Sequence, residues 1–309
     1  MKNIYVIGGA NVDIYAKTKN EIILQDSNPS KITFSYGGVA RNITENLANL
    51  KMKVNFISAF GSDAFAKDMK EKLVNKGVNI SYSIISKEHN SSIYLAILNK
   101  EDMFIGASDM DVLDSLNDKY LSKFKDVIKE DDYLIFDSNL KEETIEYIAN
   151  NLKGIKIVDA ISANKVVKLL NVLDKLDVLK LNIIEAQKIA GKDLTSDEEI
   201  EGFIKELNNK VKEVIVTKSV DLFIGINQEV KHYRHHSYVE NPINVTGAGD
   251  ALLATYIYAK SQDYSVDLCA KLALAAAIIN VNNENAVSEM NLNILNDKAR
   301  EIKIEKLWK

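Results

Sequence analysis

The chain has 309 residues, 46% of them hydrophobic, which suffices for one large α/β domain or two small ones. Its 39 Lys and Arg against 44 Asp and Glu give a net charge of −5, with no basic stripe of the kind that binds a nucleic-acid polymer. One cysteine, Cys269, excludes an intrachain disulfide, and no run of about 18 apolar residues argues for a membrane span. The first apolar stretch is too short for a signal peptide, so the expectation is a cytoplasmic protein.

Residues 4–7 read as a strand ending in Gly8-Gly9. The spacing is not G-x-G-x-x-G and no apolar helix follows, which weighs against a dinucleotide-binding unit. Extended polar segments at 11–16 and 31–35, joined through Asp26-Ser27-Asn28-Pro29, predict a small sheet outside the main core. Gly37-Gly38 opens a helix with Ile43, Leu47 and Leu50 at helical spacing. A strand at 54–59 precedes Gly61-Ser62-Asp63 and a helix running to Lys76, stopped by Gly77. Period-two segments at 79–85, 91–98 and 103–107 predict a ribbon.

After Asp109 the pattern becomes regular βα. Helices are expected at 121–129, 142–151, 165–173, 184–190 and 198–208. Strands are expected at 133–136, 155–158, 178–181 and 213–217, with an antiparallel pair at 221–226 and 229–235. A last helical pair is expected within 266–282. The architecture implied is one mostly parallel α/β domain spanning 1–309, with a β lid from about 11–36 and 79–107. Asp137, Asn139, Asp159, Asn182 and Glu185 follow strand ends and would gather on one edge, where open α/β sheets bind ligands. His232, His235 and His236 fall in an expected surface strand and read as a solvated face.

The stretch with the most chemical content is Thr246-Gly247-Ala248-Gly249-Asp250, followed by the apolar run 251–257. A loop stripped of side chains at a helix N-terminus presents unpaired N–H groups to an anion. Asp250 places a carboxylate beside that cradle, an arrangement suited to phosphoryl transfer to a hydroxyl. Alone, the motif reads as a tight turn with a capping Asp.

Three motifs occur in one order: Gly37-Gly38 with Asn42, then Asn182-x-x-Glu185, then Asn244-Val245-Thr246-Gly247-Ala248-Gly249-Asp250. Together they resemble the ribokinase-like (phosphofructokinase-B type) carbohydrate kinase family over essentially the whole chain. That resemblance implies a three-layer sandwich with a mostly parallel central sheet and a small β-sheet lid. A narrower set comprises Gly9-Ala10-Asn11-Val12-Asp13, Asp26-Ser27-Asn28-Pro29, Gly37-Gly38-Val39-Ala40-Arg41-Asn42, Ser108-Asp109-Met110, and Asp159 with Ser162-Ala163-x-Lys165. It resembles the branch of that family acting on pseudouridine.

The resemblance implies Asp250 as general base on the sugar 5′-hydroxyl and the Thr246, Gly247, Ala248 and Gly249 backbone as anion hole. It implies Asn11, Asp13, Gly37, Gly38 and Asn42 around the ribose, with Ser27, Asn28 and Asp109 offering acceptors to the base. ATP would meet Lys165, Asn182, Thr217, Thr246, Gly247 and Gly249, and Mg²⁺ would sit by Glu185 and Asn182. The chain departs from the family pattern at three places. Leu181 stands where a proline is usual, Asn244 replaces an Asp at a monovalent-cation site, and Ser219, Val220 and Leu222 occupy a loop usually rich in glycine. The implied partners are a nucleoside, ATP and a second copy of the chain paired through the lid. Another sugar or nucleoside kinase (ribose, uridine, adenosine or inosine type) and a nucleoside-binding protein without catalysis are the competing readings.

Overall fold

The computed structural model describes residues 2–99, 102–236 and 245–308. A nine-stranded sheet carries the fold. Its order across the sheet is Ile304–Lys306, Glu229–His235, Asp221–Ile226, Glu213–Lys218, Val178–Asn182, Ile155–Asp159, Tyr133–Asp137, Ile4–Ile7 and Val54–Ile57. From Glu213–Lys218 to Val54–Ile57 neighbouring strands pair in parallel; the other three pair antiparallel.

The strands are continuous apolar runs because both faces are covered. Alternate residues feed opposite cores. Ile4, Val6, Tyr133, Ile135 and Ile157 pack with helices Val39–Asn49, Ala248–Ser261, Val266–Val281 and Leu292–Glu301. Tyr5, Ile7, Leu134, Phe136 and Val158 pack with helices Glu142–Asn151, Ile183–Ala190 and Asp197–Leu207. The result is the expected three-layer α/β sandwich, and all six parallel strands end on the same edge.

A separate four-stranded sheet has the order Ser30–Gly37, Asn11–Thr18, Ser92–Asn99, Asp102–Asp109. Its cross-strand rows Phe34–Ile14–Leu95–Ala107 and Ile32–Ala16–Ile97–Ile105 place apolar residues on one face. Phe34 is 59% exposed, Ile32 68% and Ile105 54%. The alternate face carries Asp13, Ser35, Tyr94 and Ser108.

Several elements differ from expectation. Residues 79–91 do not join the small sheet; Ile84–Ile85 pairs with Ala59–Phe60 in a two-stranded parallel sheet. The segment expected as a helix at 121–129 holds only Asp118–Leu121 and a 3₁₀ turn, Ser122–Phe124. Val266–Val281 is one helix, since no glycine or proline interrupts it. Helix Leu292–Glu301 and strand Ile304–Lys306 are additional; Asn291 caps the helix by accepting from the Asn293 and Ile294 N–H groups. His232 is buried, contrary to a solvated face. It stacks on Phe223 at 4.0 Å and bonds Asp221 at 2.8 Å, while His236 stays exposed. Among the described residues no helix is long and apolar enough to cross a membrane.

Candidate functional site

The Thr246–Asp250 stretch starts helix Ala248–Ser261 at the carboxyl edge of the large sheet. Gly247 turns the chain at φ 80°, and a Cβ there would collide with the Ala286 carbonyl, so the loop requires glycine twice over. Asn280, buried in helix Val266–Val281, donates to the Thr246 carbonyl at 3.0 Å and holds the loop from behind. The first turn of the helix then offers N–H groups that lack helical acceptors.

Asp250 sits in that first turn, almost fully buried. Its Oδ2 accepts a 2.8 Å hydrogen bond from Asn42 Nδ2. Burial, and next the charge of Asp159, push its carboxyl up to about 7, against the opposing pull of Lys180 and the Asn42 bond. A carboxylate near neutral pKa is matched to taking a proton at physiological pH.

Asn42 comes from helix Val39–Asn49, whose entry is Gly38. Arg41 donates to the Tyr36 carbonyl at 2.6 Å and to Asn42 Oδ1 at 2.9 Å, and it ion-pairs with Glu45. That arrangement leaves the Asn42 amide hydrogens aimed at Asp250. Asp13 lies against the bare α-carbon of Gly37; burial raises its carboxyl to about 6, with Arg41 opposing. Asn11 carries a buried Oδ1 with no hydrogen-bond partner among the described residues. The Asn11 and Asn139 amides converge over Gly9.

Asp137, at the tip of Tyr133–Asp137, ties these pieces together. Its Oδ2 accepts from Ala40 N at 2.9 Å and Gly9 N at 3.4 Å, and its Oδ1 from Asn139 N at 2.9 Å. Burial raises its carboxyl to about 6 despite those bonds. Lys165 hydrogen-bonds Asn139 Oδ1, which places it two strands away from Asn182 and in the Asp137 group.

On the other side, Asn182 and Glu185 form a capping box on helix Ile183–Ala190: Asn182 Oδ1 accepts from Glu185 N at 3.0 Å, and Glu185 Oε2 from Asn182 N at 2.8 Å. Glu185 is buried, and desolvation raises its carboxyl to about 7 against Lys180. Thr217 is in register with Asn182 and donates to the Leu181 carbonyl at 3.4 Å. Ser219-Val220 is the turn of a two-residue hairpin, with Ser219 at φ 54°. The chain therefore keeps a tight turn where glycine is usual, at a cost of order 1 kcal/mol.

Lys180, which sequence reasoning passed over, stands between the two groups. It is 6% exposed, and its Nζ lies 3.0 Å from Asp159 Oδ2. Burial pulls the ammonium down, but Asp159, Glu185 and Asp250 together hold it above its ordinary value. The signal available was a lysine inside the apolar run Val178-Leu179-Lys180-Leu181, since a lysine is almost never buried without a partner.

Three sequence candidates lie apart from these buried groups. Ser27 and Asn28 occupy an exposed turn, where Asn28 bonds the Ile23 backbone both ways and Ser27 N donates to Asp26. Asp109 is exposed and accepts from Asp111 N at 3.2 Å. Asn244, the monovalent-cation candidate, lies outside the described residues.

Residues 1–292 match the pfkB family carbohydrate kinases. The chain is 30% identical over 262 residues to pseudouridine kinase of Escherichia coli, covering 81% of each chain. It is 22% identical to ribokinase of Haemophilus influenzae, over 94% of this chain and 95% of that one. A carbohydrate kinase from Agrobacterium tumefaciens superposes with a TM-score of 0.84 at 25% identity, covering 99% and 100% of the two chains. Arabidopsis thaliana ribokinase complexed with ribose and ATP gives 0.78 at 20% identity, covering 97% and 99%, which speaks for the fold.

The Asp137 clamp yields a prediction. Asp137→Ala leaves three backbone N–H groups without their acceptor, one of them at the start of the Asn42 helix. Urea denaturation should show a loss of about 1–3 kcal/mol. In the folded fraction the acceptor KM should rise while nucleotide affinity holds.

Proposed function

The chain belongs to the pfkB family of carbohydrate kinases, a family of phosphotransferases with alcohol acceptors, and on that premise we propose that it transfers the γ-phosphoryl of ATP to the 5′-hydroxyl of pseudouridine. The observation that carries this reading is the Asn42–Asp250 bond, which sets a buried base of raised pKa beside a helix-start amide loop. Asp250 takes the hydroxyl proton as the acceptor oxygen attacks phosphorus. The Gly247, Ala248 and Gly249 N–H groups stabilise charge on the transferred phosphoryl, with Thr246 entering the same loop. Asp13 and Asn42 hold ribose hydroxyls, and Gly37 and Gly38 let the sugar approach the main chain.

Asn182 and Thr217 face the nucleotide. Glu185 is a buried carboxylate that gains from a cation, and among the described residues no cluster of three or more acidic, His or Cys side chains could enclose one. That donor set fits Mg²⁺ held by Glu185, Asn182, water and substrate phosphates, where the ion offsets phosphate charge.

Pseudouridine as acceptor rests on the relative from Escherichia coli and on the polar groups around Gly9. Asn11 has an unspent buried acceptor, Asn139 brings its amide nitrogen toward it over Gly9, and Lys165 donates to Asn139 Oδ1. Pseudouridine carries one more ring N–H than uridine, so a site with buried acceptors discriminates between them. Ser27, Asn28 and Asp109 supply further base contacts when the small sheet closes over the ligand, exchanging local bonds for new ones. A binding protein without catalysis would not need a carboxyl of raised pKa at a helix-start amide loop.

The exposed apolar rows of the small sheet are covered, on this reading, by the same face of a second copy across a two-fold axis.

Two measurements test these proposals. Asp250→Asn should lower kcat by on the order of 10²–10⁴. With the parent enzyme, kcat/KM for pseudouridine should exceed that for uridine by about tenfold or more, the cost of one unpaired polar group, and exceed that for ribose. Equal values for the two nucleosides remove pseudouridine as the acceptor. In solution the chain should scatter light as twice 34.6 kDa, and the double variant Phe34→Asp, Ile105→Asp as a single copy. A parent of single-copy mass contradicts the paired sheet.

A further inference from the structure

We propose that Ile161 determines specificity for the acceptor: its side chain packs against the base ring of a bound nucleoside at the carboxyl edge of the large sheet. The inference rests on the nucleoside-kinase reading above and adds to it a residue that none of the motifs names.

Backbone strain is the first observation. Ile161 stands at φ 64°. A β-branched residue in the left-handed region is a steric outlier, because its Cβ crowds the backbone. The six other non-glycine residues with positive φ among the described residues are all polar or charged. The turn itself has no need of the side chain. Ile161 N donates to Asp159 Oδ1 at 3.0 Å, and Ser162 N donates to the Ala160 carbonyl at 2.7 Å. Glycine would make the same two bonds without strain. The interior does not use the side chain either: Ile161 is half-buried and packs against neither apolar core. Strained residues of this kind cluster at ligand sites, where the surroundings hold them in place.

Position is the second observation. The turn is tied to the segment that follows strand Tyr133–Asp137. Ser138 Oγ donates to the Ala160 carbonyl at 2.5 Å, and Lys165, four residues beyond Ile161, bonds Asn139 Oδ1. Asn139 meets Asn11 over Gly9, and these are the groups assigned above to the base. They supply polar contacts to the edge of a ring. A base also has two apolar faces, and an isoleucine on this edge gives one of them a partner. Phosphate oxygens gain nothing from such a side chain. Asn182 and Thr217, assigned to the nucleotide, stand one and two strands away on the other side. A ring packed on Ile161 separates a nucleoside from a free pentose, since only the nucleoside brings an apolar face.

The test is NMR of the protein labelled at isoleucine δ1 methyls, bound to Mg²⁺, adenylyl imidodiphosphate and either pseudouridine or uridine. The signal lost in Ile161→Val identifies Ile161. That methyl should show a nuclear Overhauser peak to a carbon-bound proton of the pyrimidine ring. A peak to an adenine proton instead, or none to the base of a bound nucleoside, overturns the proposal. Ile161→Gly relieves the strain, so its urea midpoint should equal or exceed the parent's. Its nucleoside affinity by calorimetry should fall at least about tenfold, the scale of a lost apolar contact in a pocket, while its affinity for the ATP analogue alone holds. Unchanged nucleoside affinity overturns the proposal. If the parent binds neither nucleoside, the nucleoside reading fails and this inference with it. Binding without the Ile161 contact removes only the inference.

Discussion

The hydrogen bond from Asn42 Nδ2 to Asp250 Oδ2 joins parts of the chain 208 residues apart. On one side stands helix Val39–Asn49, which enters through Gly38 and is tied by Asp137 to the first strand's loop. On the other stands helix Ala248–Ser261 with its amide loop. Misplacing either helix start would separate Asn42 from Asp250. The surrounding contacts act to prevent that: Arg41 orients Asn42, Asn280 holds Thr246, and the apolar cores press both helices onto one face of the sheet.

Electrostatics follow from the same geometry. Parallel strands deliver Asp137, Asp159 and Asn182 to one edge, and the helix starts add Glu185 and Asp250. Burying so many acidic groups together is costly, and the raised carboxyls of Asp137, Glu185 and Asp250 record that cost. Lys180 and Arg41 are the buried cations that make the assembly tolerable. On the proposed kinase reading, that excess of acid suits a ligand that brings its own cation and a reaction that removes a proton.

Much of this was legible in the residues. Strands bounded by turn signals and the glycine loops placed the large sheet and the TGAGD helix, because those patterns are local. The small sheet's strands were also visible, though residues 79–91 were assigned to it through a period-two pattern that instead serves a separate two-stranded pairing. Helix Leu292–Glu301 escaped because it is mostly polar, and its capping by Asn291 was the remaining cue. Within the site, motif residues such as Asp13, Asn42 and Asp250 could be named. The roles of Asp137 as a clamp and of Lys180 as a buried cation could not, since each depends on partners from strands far apart in sequence. His232 was misread for the same reason: its burial is set by Phe223 and Asp221 across the sheet.

The central claim is that Asp250 is a buried carboxyl held near neutrality, able to accept a proton at the amide loop. The most direct measurement is a carbon-13 NMR titration of the protein labelled at aspartate carboxyl carbons, with the Asp250 resonance identified by its loss in Asp250→Asn. The account predicts a midpoint near 7 for Asp250, well above an ordinary carboxyl. A midpoint near the usual value of about 3.9 would show the side chain to be solvated and unperturbed, and would contradict the account.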